Sequence, residues 1–313
     1  MKKLADVETY KAEKKFGKEN QCDLNESESW IESRALTHAE AGECLNTLGK
    51  CVESYEHAYL SLDASNRNLT DVSVISFFEH VRYVNVSGNR LTSEALRALE
   101  TMPYLQILQA NRNLLITVDL KPMPYLQQLI LNKNRVTDTS GIRHKQLERL
   151  ELNYNDLRFV TLDPETLVNL KILELRGNAL DSTIGICCSG LAHLFLAENQ
   201  IKRIEDLEVL VNLKMLHLRS NELASLDGFT EKCLSLNYVN LRNNKLTKIS
   251  ELRKLSCLPS LEILIVLENP FLEKDKEKEK IDKDHISDRE RDKAKDLLKK
   301  MTKNGFEDFD LQN

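Results

Sequence analysis

The chain has no uncharged apolar run of about 18 residues, the length that a membrane-spanning helix needs. Residues 1–20 also lack the apolar stretch of a secretory signal. The net charge is only −5, which gives no electrostatic reason to expect binding to nucleic acid. We therefore expect a protein that binds neither membranes nor nucleic acid.

The sequence also lacks cysteine pairs of the C-x-x-C type. The seven cysteines are odd in number, and no two of them are spaced as C-x-x-C. This scatter is typical of free thiols in a reducing compartment, where cysteine acts mainly as a small buried hydrophobic side chain. The sequence therefore predicts a cytoplasmic protein.

Catalytic signatures are absent too. The chain contains no GxxxxGK[ST], GxGxxG, GxSxG or HExxH segment, so it has none of the phosphate-binding, nucleophilic or zinc-binding arrangements that these motifs build. The histidines have no metal-ligand spacing, and His193 and His217 fall in neighbouring segments without a third ligand. We expect no enzyme activity, no metal, no cofactor and no small-molecule substrate.

The chain instead contains an internal repeat of the form LxxLxLxxNxL. Nine copies place an asparagine in register, at steps of 21 to 25 residues, and a degenerate tenth copy before them has Arg67 in that position. The nine asparagines are Asn89, Asn113, Asn134, Asn155, Asn178, Asn199, Asn221, Asn244 and Asn269. This pattern is that of the leucine-rich repeat, in its 22-residue intracellular type.

The repeat predicts an α/β solenoid, a horseshoe with a concave parallel β-sheet. The LxL segment is a short strand whose leucines point inward, because side chains alternate between the two faces of a strand. A single repeat cannot bury these leucines, so neighbouring repeats stack and share one core. The asparagine lies where the chain leaves the strand, and its amide can satisfy backbone groups that the turn leaves unpaired.

The ends of the array differ from its middle. We expect a flexible polar tail over 1–35, an N-terminal helical cap over 36–57, the solenoid over 58–272, and a charged helical or disordered tail over 273–313. Thr37 and Glu40 form the signature of a helix capping box.

Two outer segments also have helical patterns. The cap helix is predicted to run from this capping box to about Leu48 and to end at Gly49. Four apolar residues at steps of three predict a tight helical rod elsewhere in the array. They are Ile201, Ile204, Leu207 and Leu210.

Function is expected on the concave face, where the residues beside the inward leucines point outward. In the C-terminal half these positions carry aromatic, methionine and arginine side chains, the composition of interface hot spots. The expected partner-binding residues are Arg176, His193, Phe195, Met215, His217, Arg219, Tyr238 and Arg242. The outward residues that directly precede the first inward leucine of each strand form the first outward column, and those between the two inward leucines form the second. The alternative is that the side chains of the first column merely pack against each other along the sheet.

The repeats resemble those of the leucine-rich-repeat subunit of the axonemal radial spoke. The resemblance covers roughly residues 36–270 and rests on VRYVNVSGNRLT (81–92), TDTSGIRHKQLERLELNYN (137–155), LDPETLVNLKILELRGNALDSTIGI (162–186) and the segment 191–223. It implies a structural subunit of the spoke in motile cilia or flagella, bound to other spoke components.

Two departures limit this resemblance. The acidic N-terminal tail of that family is replaced by a mixed-charge one, and its C-terminal capping segment is missing after Phe271. The competing hypothesis is a leucine-rich regulatory or targeting subunit of a type-1 protein phosphatase. That class presents an acidic and aromatic concave face, whereas this chain offers histidine, phenylalanine and arginine.

Overall fold

The computed structural model describes residues 33–50 and 57–272. Within them, eleven strands form one sheet and follow each other in chain order. The strands are β1 Leu45–Lys50, β2 His57–Asp63, β3 Tyr83–Asn85, β4 Ile107–Gln109, β5 Gln128–Ile130, β6 Arg149–Glu151, β7 Ile172–Glu174, β8 His193–Phe195, β9 Met215–His217, β10 Tyr238–Asn240 and β11 Ile263–Ile265. The strands β2 to β11 are parallel, as the repeat predicts.

Each strand from β3 onward is centred on the first leucine or valine of the LxL segment. In the register of the sheet, Leu108 lies beside Leu129, and Leu129 lies beside Leu150. All three side chains are fully buried, whereas the residues on either side of them in each strand face the concave surface. The predicted solenoid is therefore confirmed, and its core is one continuous column of stacked apolar side chains.

The return segments are short, because about 22 residues leave little room for a helix. Among the described residues, α1 His38–Cys44 and α2 Ser93–Leu96 are α-helices, and residues 270–272 are helical as well. It also has 3₁₀ helices at Ser73–Phe77, Arg97–Thr101, Leu207–Val209 and Ile249–Cys257. The rest of each return is made of turns and extended chain.

The predicted rod from Ile201 to Leu210 is wrong in its first half. Its four apolar side chains are buried, but only Leu207–Val209 is helical. The amide of Lys202 donates to Asp181 O of the preceding repeat (2.9 Å). These bonds to the neighbour hold the segment extended, and Arg203 forms an isolated bridge with Ser182.

The cap begins as predicted and then departs from the prediction. Thr37 and Glu40 make both hydrogen bonds of the capping box. The helix ends at Cys44 and does not reach Leu48, because β1 pairs antiparallel with β2. This pairing covers the backbone groups that β2 would otherwise leave exposed at the sheet edge.

The cap also extends further toward the N-terminus than predicted. Arg34 and Ala35 were assigned to the polar tail, yet Arg34 O accepts from Thr70 N (2.8 Å) and Ala35 bridges to Asp71 of the first repeat. The remainder of the tail, residues 51–56 of the cap, and the charged segment over 273–313 lie outside the described residues.

The repeat asparagines connect each repeat to the one before it. Asn134 Nδ2 donates to Ala110 O of the preceding repeat (3.0 Å) and to Leu131 O of its own repeat (2.9 Å), while its Oδ1 accepts from Leu115 N (3.3 Å). All nine asparagines are buried, and each one bonds to the backbone of the preceding repeat. We call this the asparagine ladder, and it confirms the role predicted for the amide.

The residue before each ladder position is left-handed, with φ between 52° and 71° in all ten copies. Gly88 and Gly177 adopt this conformation without strain. Larger side chains such as Lys133 and Tyr154 adopt it as well, at a cost of about 1–2 kcal/mol each. The ladder bonds offset this cost, because the left-handed turn directs the next side chain into the core.

His144 is a fully buried titratable group among the apolar returns. Its Nδ1 accepts from Met123 N (3.1 Å), and its Nε2 makes no hydrogen bond to any described residue. Burial is the main cause that lowers the pKa of His144 to about 4, against a small opposing effect of Glu100. The ring is therefore neutral near pH 7.

The buried leucines and the asparagine ladder are expected to contribute different amounts to the free energy of unfolding. Leu175→Ala should lower the free energy of unfolding by about 2–5 kcal/mol, because it opens a cavity at a fully buried position. Asn178→Ala should cost about 1–3 kcal/mol, because Leu157 N and Leu152 O lose their partner. Urea denaturation measures both, and the exposed control Val168→Ala should change stability by less than about 0.5 kcal/mol. Neutral variants at 175 and 178 would contradict the assigned register.

The buried histidine predicts loss of stability in acid. The unfolded chain takes up a proton near the usual pKa of 6.5, while folded His144 does so only near 4. Stability should therefore fall as the pH drops through this window, by up to about 3 kcal/mol from this residue. His144→Asn keeps an acceptor for Met123 N and should flatten the pH dependence measured by urea denaturation. The exposed control His57→Asn should behave like the parent chain. An unchanged slope in His144→Asn would refute the assignment.

Candidate protein-binding site on the concave sheet

The sheet register brings the predicted partner-binding residues of β8 to β10 together. His193 lies beside Met215, and Met215 lies beside Tyr238 in the first outward column. Phe195 lies beside His217 in the second column. All five side chains are half-buried, so each is packed on one side and accessible on the other.

Three of these rings stack across the strands. The ring centroids of Phe195 and His217 are 4.8 Å apart with an interplanar angle of 21°. The centroids of His217 and Tyr238 are also 4.8 Å apart, at 31°. We call Phe195, His217 and Tyr238 the aromatic ladder. Phe195 and His217 are register partners, so the spacing of adjacent strands sets the distance between their rings. Tyr238 is the register partner of Met215 and reaches the His217 ring diagonally.

The aromatic ladder is uncharged near pH 7. Burial lowers the pKa of His217 to about 4, and neighbouring His193 adds to the effect. Burial also lowers the pKa of His193, and Lys214 adds to it. A neutral imidazole between two rings presents an apolar, flat surface together with one N–H donor and one acceptor.

The predicted arginines lie along the rim of this patch, but two of them are engaged within the chain. Arg176 donates to Glu198 (2.6 Å) and lies over the Tyr154 ring at 5.6 Å from its centroid. Arg242 donates to Glu268 (2.5 Å). The hydrogen bonds from Arg176 and Arg242 hold the pKa values of the two carboxyl groups below their usual range.

Arg219 differs from these two arginines. It makes no ion pair within 4 Å among the described residues, and its Nε is buried without a hydrogen bond. Its positive charge contributes to the lowered pKa values of both Glu198 and Glu268. Of the three predicted arginines, Arg219 is the one that an incoming acceptor can bind without first breaking an ion pair.

A polar network in the middle of the concave face is a feature that the sequence prediction missed. Arg149 bridges Glu151 (2.5 Å) and Glu174 (2.7 Å). Asn132 Nδ2 donates to Glu151 (2.7 Å), and Asn153 Nδ2 donates to Glu174 (2.8 Å). Burial, then the charge of Glu151, raises the pKa of Glu174. The members of this network pair with one another. The network lies between the N-terminal third and the C-terminal half of the concave face.

The described residues contain neither a membrane-spanning helix nor a metal-binding cluster. None of their helices is long and apolar enough to cross a membrane. No three histidine, cysteine, aspartate or glutamate side chains in this part of the chain group closely enough to hold a metal ion. Its five cysteines are free, and Cys44, Cys188 and Cys233 are buried in the core.

Comparisons with known proteins agree with this architecture. No family model matches the chain. Two solved structures share its fold: the LRIM1/APL1C complex (TM-score 0.56, 23% identity, 80% of this chain and 52% of that chain) and the leucine-rich-repeat ectodomain of an Arabidopsis thaliana receptor kinase (TM-score 0.52, 20% identity, 75% and 30%). These likenesses show the fold alone, a leucine-rich-repeat solenoid.

Two relatives are far more similar in sequence. The chain is 39% identical to leucine-rich repeat-containing protein 23 of Bos taurus, over 86% of this chain and 81% of that protein. It is also 39% identical to the Homo sapiens protein of that name, over 88% and 82%. The asparagine ladder, the parallel sheet and these identities lead to one assignment. The chain belongs to the leucine-rich repeat-containing protein 23 family.

Proposed function

We propose that the chain is a structural scaffold that holds a partner protein on the C-terminal half of its concave sheet. The proposed contact surface, which we call the C-terminal concave patch, has eight residues. They are Arg176, His193, Phe195, Met215, His217, Arg219, Tyr238 and Arg242. The support from the fold is general, since leucine-rich-repeat solenoids present extended concave surfaces that are used for protein binding rather than catalysis.

The aromatic ladder is the observation that carries this proposal. Its rings are stacked before any partner arrives, so binding does not have to order them at full entropic cost. They are neutral, which keeps the cost of removing them from water low. Arg219 stands beside them with unused donors. An apolar centre with a cationic rim favours a partner surface that combines an apolar anchor with an acceptor group.

We further propose that this partner is another subunit of the radial spoke, in the axoneme of motile cilia or flagella. The support is the resemblance over residues 36–270 stated above, which includes strings outside the generic repeat. The phosphatase hypothesis gains no support from the two relatives, whose names mention no phosphatase. The concave patch also lacks the acidic character expected of that class.

The concave patch can be tested by a paired substitution. Phe195→Ala with Arg219→Glu removes one end of the aromatic ladder and reverses the unpaired charge. We expect capture of partner proteins from ciliated-tissue extract to fall by about tenfold or more, because hot-spot residues contribute about 2 kcal/mol or more each. Pull-down with quantitative mass spectrometry measures capture, and circular dichroism verifies the fold.

The matched control carries the same chemical change outside the concave face. Phe159→Ala with Arg158→Glu also removes an exposed phenylalanine and reverses an exposed arginine. This control should capture the same proteins as the parent chain. If the variant at 195 and 219 does so too, the C-terminal concave patch is not the binding surface.

The cellular assignment can be tested by native size. A radial spoke subunit should remain in a detergent-resistant pool of megadalton size in ciliated-cell extract. A phosphatase regulatory subunit should migrate as a small complex, about twice the 36.0 kDa of the chain. Size-exclusion chromatography with immunodetection separates the two, and recovery only in the small complex would overturn the spoke assignment.

A further inference from the structure

The N-terminal third of the concave face contains a second feature, a groove of about 320 Å³ that is separate from the C-terminal concave patch. Its lining is polar and has no aromatic ring. The residues that matter for its chemistry are Asn85, Ser87, Asn111, Arg112, Asn132 and Lys133. The four uncharged members are half-buried, and Arg112 and Lys133 are exposed.

The acceptor atoms of this groove are already used by the backbone. Asn85 Oδ1 accepts from Ser87 N (3.1 Å), and Ser87 Oγ accepts from Asn111 N (3.1 Å). Asn111 Oδ1 accepts from Asn132 N (2.7 Å). The bond from the backbone N–H fixes the orientation of each amide and leaves both hydrogens of its N–H₂ group available to a ligand. The groove therefore presents the donors of Asn85 and Asn111, and neither amino group has a hydrogen-bond partner among the described residues.

The two charged residues that line the groove, Arg112 and Lys133, are both cations. Arg112 and Lys133 form no ion pair in the part of the chain that the structure describes. Lys133 Nζ lies 5.7 Å from the centroid of the Tyr154 ring, a cation–π contact that does not neutralise its charge. At the C-terminal rim, by contrast, Glu198 and Glu268 bind Arg176 and Arg242. Donors and unpaired cations together define a site for anions.

An extended acidic peptide fits this arrangement better than a nucleic acid does. The groove crosses neighbouring repeats, whose strands are about 4.8 Å apart, or about one and a half residues of extended peptide. Successive carboxylates of such a peptide can meet Arg112 and Lys133 in turn. A nucleic acid carries a phosphate at every nucleotide and would place one against Glu151 or Glu174 on the next strands, whereas a peptide can present an uncharged residue there.

We propose that this groove binds an extended segment of a partner protein that is rich in aspartate or glutamate. The donors of Asn85, Ser87 and Asn111 bind its carboxylates or backbone carbonyls, and Arg112 and Lys133 bind its carboxylates. The proposal goes beyond the C-terminal concave patch, and its test uses different residues. Either proposal can therefore fail without the other.

The direct test uses a fluorescein-labelled octaglutamate peptide and the full chain, measured by fluorescence anisotropy. The parent chain should bind octaglutamate, with an affinity that weakens as salt rises, and should bind octaglutamine at least tenfold less well. Arg112→Glu with Lys133→Glu should weaken octaglutamate binding by about tenfold or more. The control Lys202→Glu with Arg203→Glu changes net charge equally at two exposed cations outside the groove and should change binding less than about threefold.

A second variant tests the donor argument without removing a cation. Asn111→Asp retains the oxygen that accepts from Asn132 N and replaces the free amino group with an anionic oxygen. It should weaken octaglutamate binding by about tenfold while the melting temperature stays near that of the parent chain. Asn212→Asp, at an exposed asparagine outside the groove, is its control and should bind normally.

Three outcomes would overturn the proposal. The first is equal binding of octaglutamate and octaglutamine. The second is unchanged octaglutamate binding in both Asn111→Asp and the variant at 112 and 133. The third is preferential binding of a single-stranded oligonucleotide or of inorganic phosphate, which would assign the groove to a different anion.

Discussion

The asparagine ladder is the interaction on which the rest of the structure depends. A turn that leaves a buried strand exposes N–H and C=O groups to an apolar interior, where an unpaired group costs about 1–3 kcal/mol. Each repeat leaves such groups to the asparagine of the next repeat, as Leu157 N and Leu152 O do with Asn178. No repeat is complete alone, so the stack and its parallel register follow from one amide per repeat.

Hydrogen bonds between neighbouring repeats also shape the concave surface, which has two parts of different chemistry. In the N-terminal third, Asn111 and Asn132 repeat the ladder on the outside and give their oxygens to backbone amides. The C-terminal half has Ala197 and Arg219 at the corresponding column, and ring stacking takes over from amide bonding there. Between them, Arg149 and its two carboxylates form a closed polar unit.

The sequence was sufficient for the features that repeat. The leucine period predicted the strands, and strand alternation placed Phe195, His217 and Tyr238 on one face. Prediction from the sequence failed where a residue distant in the chain determines the local structure. The helix from His38 stops at Cys44 because β2 offers a strand edge. The pairing of Arg176 with Glu198 depends on residues of adjacent repeats whose side chains approach only in the folded stack. The left-handed residues before each asparagine also escaped prediction, since Lys133 and Tyr154 carry no glycine-like signal.

The unbroken sheet also gives the molecule a mechanical character. The sheet and the asparagine ladder join each repeat to its neighbours, so a bending load applied at the two ends is divided among all the interfaces between them. Each hydrogen bond of the ladder then changes by a small fraction of the total displacement, and none has to break. We therefore expect the solenoid to bend elastically along its length. The spacing between side chains of neighbouring repeats on the concave surface would then change gradually as it bends.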